Sequence, residues 1–221
     1  SINYHSTLAT VKVSDYIFKI PIRAGDNYKG SFQVINDGTK TENVEINIID
    51  WRRNPDGGMA FYPPGTLDGS LARWLTYSPS SFSLKPNRSQ EVNFSINMPR
   101  ISKGDHWVMF VVQGNPMQIG SGEIRERREA SVNATIQHGI QVTQLDPNGG
   151  TKKGEINNII IEKSKTNNSN SQVRVNFENT GNKILNVTGK VEIRNSKGNI
   201  SENINIEQER VLPEDKAKIT L

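Results

Sequence analysis

Along most of this chain, apolar residues alternate with polar ones at a period of two. The clearest run is 92–98, in which Val92, Phe94, Ile96 and Met98 are separated by polar residues. Such alternation places one face of a strand on a core and the other in water. No window of ten residues shows a convincing apolar stripe at helical spacing. The sequence therefore predicts an all-β fold.

Turn-forming residues separate the predicted strands at short intervals. Clusters of Asn, Asp, Gly, Pro and Ser stand at 36–38, 54–58, 85–87 and 195–199. These residues tolerate left-handed or proline-fixed backbone. Many short strands with regular turns favour a β-sandwich or a barrel. The continuous apolar run 107–112 predicts a central strand that is covered on both faces.

The chain repeats itself at the scale of one immunoglobulin-like unit. Residues 32–40 (FQVINDGTK) correspond to residues 175–183 (VNFENTGNK), and each block is followed by a strand and an Asn/Gly turn. The segment Leu84-Lys-Pro86 corresponds in the same way to Leu212-Pro213 before a later strand. Three blocks in the same order favour two tandem immunoglobulin-like β-sandwiches.

A Pro- and Gly-rich, charged stretch divides the two units. We expect an N-terminal sandwich at 1–146, a linker at 147–153 and a second sandwich at 154–221. On the repeat register the second sandwich lacks its last two strands, and an incomplete sandwich would expose an apolar groove and an unpaired edge. A native chain that is longer than this sequence would explain the same asymmetry.

Composition argues against several classes of protein. The 221 residues include no cysteine, which excludes a disulfide scaffold, a thiol nucleophile and a Cys-ligated metal. No apolar run approaches the roughly 18–20 residues of a membrane span, and we expect that any leader before Ser1 has been removed. The net charge of +4 comes mostly from scattered residues, so we expect solvated strand ends and no nucleic-acid surface.

No motif predicts catalysis or a cofactor. The three histidines, His5, His106 and His138, share no metal-ligand spacing. The turns at 54–58 and 146–150 lack the alternating carboxylates and the distal glutamate of a calcium loop. We therefore expect a non-enzymatic protein without metal or cofactor, and a hydrolase is the least favoured class.

Several short motifs occur together in one order. Residues 74–86 (WLTYSPSSFSLKP) contain P-x-x-F-x-L-x-P before a strand, and Met98-Pro99, Gly104 and a strand from Trp107 follow. With the long run 130–145, these segments resemble the periplasmic pilus-assembly chaperones, the PapD-like family, or related two-domain immunoglobulin-like proteins of bacterial surfaces. The resemblance implies two sandwiches set at an angle, an extracytoplasmic location in the periplasm or at the cell surface, and a protein client or surface subunit bound along an edge strand.

In that family the client strand is held by backbone hydrogen bonds while its alternate side chains fill pockets. A basic pair also clamps the client's C-terminal carboxylate: an Arg in the first strand, for which Arg23 is the candidate here, and a Lys in the long strand. No lysine lies between Ala130 and Leu145, which is a departure from the family's pattern. The resemblance implies these partner-binding positions: Val132, Ala134, Ile136, His138, Ile140 and Val142.

A structural or adhesive cell-surface module is the alternative. Aromatic residues between Trp51 and Trp74 could offer flat faces to a glycan or a host protein, or could instead cap one end of the sandwich. An exposed β-edge would also allow oligomerisation. The aromatic candidates are Trp51, Phe61, Tyr62 and Trp74.

Overall fold

The computed structural model describes residues 11–55, 58–116, 136–162 and 172–220. This part of the chain contains fifteen strands, and its one helical element is the 3₁₀ turn Ala72–Trp74. The predicted all-β fold is confirmed. Across these ranges no helix has the length and apolar character needed to cross a membrane.

The first ten strands form a two-sheet sandwich in which all neighbours are antiparallel except β2 and β10, which run parallel. One sheet has the order β1 (Val11–Val13), β3 (Asn27–Asn36), β8 (Arg88–Asn97), β6 (Leu75–Ser78). The other has the order β2 (Ile17–Pro21), β10 (Ile136–Leu145), β9 (His106–Pro116), β4 (Glu42–Arg53), β5 (Met59–Tyr62), and β7 (Ser81–Leu84) pairs with the start of β4.

The core of this sandwich lies between the two sheets and contains the inward positions of the alternating runs. Phe32 of β3 and Phe110 of β9 are buried, and their ring centroids are 5.2 Å apart. Strand β9 lies between β10 and β4, as the continuous apolar run predicted. Apolar burial of this kind is the main source of the sandwich's stability.

The second sandwich has five described strands in two sheets. One sheet contains β11 (Gly154–Glu162), β12 (Gln172–Asn179) and β15 (Lys216–Thr220), and the other is the hairpin of β13 (Leu185–Arg194) and β14 (Ile200–Val211). The fold class of tandem immunoglobulin-like sandwiches is thus confirmed.

Within the described residues, the second sandwich has no counterparts of β9 and β10. As a consequence, part of its apolar face is open. Three isoleucines of β11 that share a face with the buried Val173 and Val175 are each more than half exposed: Ile156, Ile159 and Ile161.

Two fully buried asparagines give the internal repeat a physical basis. Each side-chain amide, of Asn36 or Asn179, donates to the carbonyl four residues further on, at 2.8 Å in both cases. Each side-chain oxygen accepts from the N–H of a glycine two residues further on, Gly38 or Gly181. A buried asparagine can keep so many backbone groups satisfied because its amide both donates and accepts.

The same asparagines fix the register of a later turn. Asn36 also donates to Leu84 O, and Asn179 also donates to Val211 O. Three residues after each carbonyl, Asn87 and Glu214 adopt a positive φ and donate their N–H to the asparagine's carbonyl. The structure therefore aligns Val211 with Leu84, so the sequence correspondence of the two leucines is off by one, while the two prolines align.

Candidate functional site

Among the described residues, strand β10 has no strand partner on one side over half of its length. Strand β2 pairs with it only over 141–145, where Gln141 N donates to Tyr16 O at 2.9 Å. On that side, residues 136–140 have no strand partner among the described residues, while β9 pairs with 136–144 from the other side. The long strand is therefore internal over 141–145, and we term residues 136–140 the free edge.

Exposed apolar side chains flank the free edge. Tyr16, just before β2, is 52% exposed, and Ile17, the first residue of β2, is 57% exposed. The ring of Tyr16 lies 6.2 Å from the half-buried ring of His138. His138 Nε2 lies 2.6 Å from Val11 O, so this nitrogen carries the proton and donates. The free edge thus combines unpaired backbone groups with an apolar surface.

The predicted partner-binding positions divide between the core and the edge. Ile140 and Val142 are fully buried in the core, so their side chains support β10 from the inside and do not face a partner. His138 lies on the same face, as the step of two predicted, and Ile136 begins the strand opposite Gly114. Val132 and Ala134 lie outside the described residues.

The predicted carboxylate anchor lies at the other end of β10. Arg23 follows β2, and its Nε donates to Asn148 Oδ1 at 3.0 Å when the amide oxygen faces the guanidinium. Leu145, where β10 ends, is six residues from Gly139, or about 20 Å of extended strand. About 20 Å of strand thus separates the free edge from the end of β10 that pairs with Pro21, and the role of Arg23 as a carboxylate anchor stays a prediction.

The aromatic stretch mostly packs inward. Trp51 is almost completely buried, Tyr62 is half-buried, and Trp74 packs edge-on against His106 with ring centroids 4.8 Å apart. Of the four predicted aromatic residues, Phe61 alone is more than half exposed. These side chains therefore do not form a shared flat face for a glycan.

The junction between the sandwiches has a small apolar centre. Trp51, Trp107 and Met109 of the first sandwich form one buried cluster with Leu212 of the second. Trp107 Nε1 donates to Trp51 O at 2.7 Å, so this indole is satisfied inside the cluster. Trp51 and Trp107 of the first sandwich thus pack against the second sandwich.

A buried ion pair lies beside this cluster. Asp105 Oδ1 lies 2.7 Å from Lys183 Nζ, and Asp105 Oδ2 accepts from Ile184 N at 2.8 Å. The same lysine donates to Asp146 O. Because a buried charge without its partner is costly, this pair resists separation of the sandwiches.

A second carboxylate, Asp215, is buried at the far side of the junction. It is 4% exposed, accepts from Arg53 N at 3.2 Å, and its Oδ1 is 3.5 Å from Arg52 Nη1. Arg52 also pairs with the exposed Glu214. Burial raises the pKa of Asp215 to about 6, in spite of the two arginines.

His106 plays a structural part in the junction. Burial lowers its pKa, and its Nδ1 lies 3.0 Å from Gln144 Oε1. Gln144 Nε2 in turn donates to Ile22 O at 2.7 Å. The ring thus ties β9 to β10 and to the end of β2. No group of three His, Asp or Glu that could hold a metal occurs within the described ranges.

Sequence reasoning missed Tyr16 and Ile17, and also the charged residues of the junction. The available signal was the pair of adjacent apolar residues, Tyr16 and Ile17, that follows Ser14-Asp15. The period-two pattern hides such a signal, because it assigns one of two neighbouring residues to the core. Lys183 and Asp215 carry no local signal, because their partners lie far away in sequence.

Solved structures share this architecture. A chain from a chaperone–tip adhesin complex of CFA/I fimbriae matches with a TM-score of 0.55 at 11% identity, covering 95% of this chain and 85% of its own length. The class 5 fimbriae chaperone CfaA matches with a TM-score of 0.51 at 12% identity, covering 94% and 84%. The Salmonella enterica SafA pilin–SafB chaperone complex matches with a TM-score of 0.50 at 12% identity, covering 97% and 85%.

No family sequence model matches the chain, and no curated protein matches it by sequence. At 11–12% identity the structural matches establish the fold alone. The chain has the fold of the PapD-like pilus chaperones.

Proposed function

We propose that this protein is a non-enzymatic, extracytoplasmic binding protein that holds another polypeptide by adding that chain's strand to the free edge of β10. The observation that carries the proposal is the edge at 136–140, which no described strand pairs with, beside the exposed Tyr16 and Ile17. Strand addition supplies affinity through main-chain hydrogen bonds and specificity through alternate side chains.

The backbone geometry identifies the groups that an added strand would use. In a strand, the N–H and C=O of one residue point to the same side, and those of the next residue point to the opposite side. Gln141 N bonds to the β2 side, so the backbone groups of Gly139 and Gln137 point to the same side, where no strand lies among the described residues. The backbone groups of His138 and Ile140 point to β9. An added strand therefore bonds to Gln137 and Gly139.

The fold matches support the class of partner. Chaperone CfaA belongs to class 5 fimbriae, and chaperone SafB is solved with the pilin SafA. These facts concern those proteins, and they support proposing a surface subunit as the partner and the periplasm or cell surface as the location. The buried Ile140 and Val142 would keep the edge straight for such a partner.

Removing one N–H tests the proposal. Gln137→Pro deletes the donor that faces the free side, and proline is tolerated on a strand edge where the N–H makes no ladder bond. Gln137→Ala is the matched control, since it keeps the N–H. The probes are synthetic 12-residue peptides in which Val, Ile or Phe alternates with Thr, Ser or Lys.

We expect at least roughly tenfold weaker peptide binding for Gln137→Pro, unchanged binding for Gln137→Ala, and similar melting temperatures. In hydrogen exchange followed by NMR, the amide of Gly139 should become protected when peptide binds. Equal binding by the proline variant, or no binding of any peptide by the native chain, would show that this edge does not capture strands.

A further inference from the structure

A cavity at the junction has an excess of positive charge. It has a volume of about 170 Å³ and lies between the end of β4 and strands β14 and β15. Its lining residues include four that are cationic and two that are acidic: Arg53, Arg210, Lys216, Lys218, Glu209 and Asp215.

The two carboxylates are already engaged. Glu209 Oε1 lies 2.8 Å from Arg53 Nη1, and Asp215 accepts from Arg53 N and pairs with Arg52. These contacts neutralise Arg53 and Arg52. Lys216 Nζ lies 3.8 Å from Glu178 Oε2, so Arg210 and Lys218 are the two lining cations that form no ion pair among the described residues.

Arg210 is the least compensated of these cations. Its half-buried guanidinium donates from Nη2 to the hydroxyl oxygen of Thr143 at 2.9 Å, and no described carboxylate lies within ion-pair distance of it. Burial, and next the charge of Arg53, lower the pKa of Arg210, and the carboxylate of Asp105 partly opposes them. A guanidinium has five N–H donors, so Arg210 has several to spare. Asp105 is already paired with Lys183, so the half-buried guanidinium is only partly compensated, and a bound anion would recover part of the free energy that this costs.

Lys218 is held at the same place by its backbone. Its N–H donates to Pro55 O at 3.1 Å, which fixes β15 against the end of β4. Lys218 Nζ forms no ion pair with a described residue. The ammonium can therefore swing into the cavity and meet a ligand held by Arg210.

We propose that this cavity binds a small oxyanion, with Arg210 as the fixed fork and Lys218 as the mobile counter-charge. Arginine suits this role because its planar fork matches two oxygens of a carboxylate, phosphate or sulfate. The volume accommodates one such group and a few waters but not a nucleotide. The oxyanion is either a free inorganic ion or an acidic side chain of a bound polypeptide. This inference does not depend on strand addition at β10.

The test compares sodium phosphate with sodium chloride at matched ionic strength. The readouts are the melting temperature and the NMR shifts of the Arg210, Thr143 and Lys218 amides. A second arm uses the peptide acetyl-Asp-Glu-Asp-amide in place of phosphate. Because a ligand that binds the folded state stabilises it, we expect a saturable rise in melting temperature with one of the two probes.

The variants are Arg210→Met and Lys218→Met, and the second tests the site if the first does not fold. The control is Arg194→Met, which removes an exposed arginine paired with Glu192 outside the cavity. We expect roughly tenfold weaker binding in both cavity variants and none of this loss in the control.

Loss of phosphate binding in the cavity variants supports the site with a free ion as its ligand. Loss of peptide binding alone supports it with an acidic polypeptide as its ligand. The proposal is overturned if neither probe shows saturable binding, or if the cavity variants bind as well as the native chain.

Discussion

Asp215 should make the stability of this protein depend on pH in an unusual direction. Its pKa is raised by burial from 3.8 to about 6 in the folded protein. The folded state therefore binds this proton more tightly than the unfolded state does. The stabilising contribution is fully present below about pH 3.8 and is lost as the pH rises through about 6.

The magnitude follows from the shift. A difference of about two pKa units corresponds to about 3 kcal/mol of unfolding free energy, at roughly 1.4 kcal/mol per unit. At pH 4 the carboxyl is already partly ionised in the unfolded chain, so the unfolding free energy falls by about 2 kcal/mol between pH 4 and pH 7. Between pH 4 and pH 7 the native protein should therefore lose stability relative to Asp215→Asn, whose side chain does not titrate.

Urea unfolding at several pH values, followed by the fluorescence of the buried Trp51 and Trp107, measures this difference. Glu207→Gln is the control, since Glu207 is an exposed carboxylate on β14. Its curve should stay parallel to that of the native chain. If the Asp215→Asn curve is also parallel to the native one, burial does not dominate at Asp215 and the two arginines set its charge.

Three further substitutions test how the sandwiches are built. Asn36→Ala should cost about 3 kcal/mol in urea unfolding, because the Lys40 and Leu84 carbonyls lose their donor, whereas the exposed Asn97→Ala should be neutral. Trp107→Phe should lower the free energy of unfolding measured by calorimetry by about 2 kcal/mol, because it removes the hydrogen bond to Trp51 O and leaves a gap in the junction. A loss no larger than that of a surface substitution would contradict this packing. Val175→Ala should cost about 2 kcal/mol in thermal unfolding, while Ile159→Ala, on the same but open face, should cost less than about 1 kcal/mol; equal losses would mean that the β11 face is covered.

The strands and their faces could be predicted because they depend on local pattern. Val92, Phe94 and Ile96 alternate in sequence and are all buried in the core. The repeat could also be predicted, since Asn36 and Asn179 make the same backbone contacts and so need the same neighbours. Both signals come from residues that act within a few positions of each other.

The extent of the free edge could not be predicted in this way. The step of two places His138 and Ile140 on one face, but it does not show that this face is the interior. This face is interior because the other sheet packs against it, with Val11 O of β1 2.6 Å from His138 Nε2. Where the edge begins depends on where β2 joins the sheet, and this is set by the first contact, between Gln141 and Tyr16.

The buried ion pair at the junction could not be predicted from the sequence for a different reason. Asp105 and Lys183 are 78 residues apart, and a charged residue in a sequence usually lies on the solvated surface. The packing of Leu212 against Trp51 and Trp107, together with the backbone hydrogen bond from Asp105 to Asn182, brings the two charges together. A partner selected by tertiary packing leaves no trace in the spacing of the residues.

Strand β10 connects the two sites proposed here. Its first half offers the free edge, and its second half is fixed by β2 and by the bonds of Thr143 to Arg210 and of Gln144 to His106. Ordering a backbone on binding costs roughly 1–2 kcal/mol per residue. Because β9 and the junction already hold β10 extended, only the incoming strand bears that cost, and a short edge of five residues can then be enough for capture.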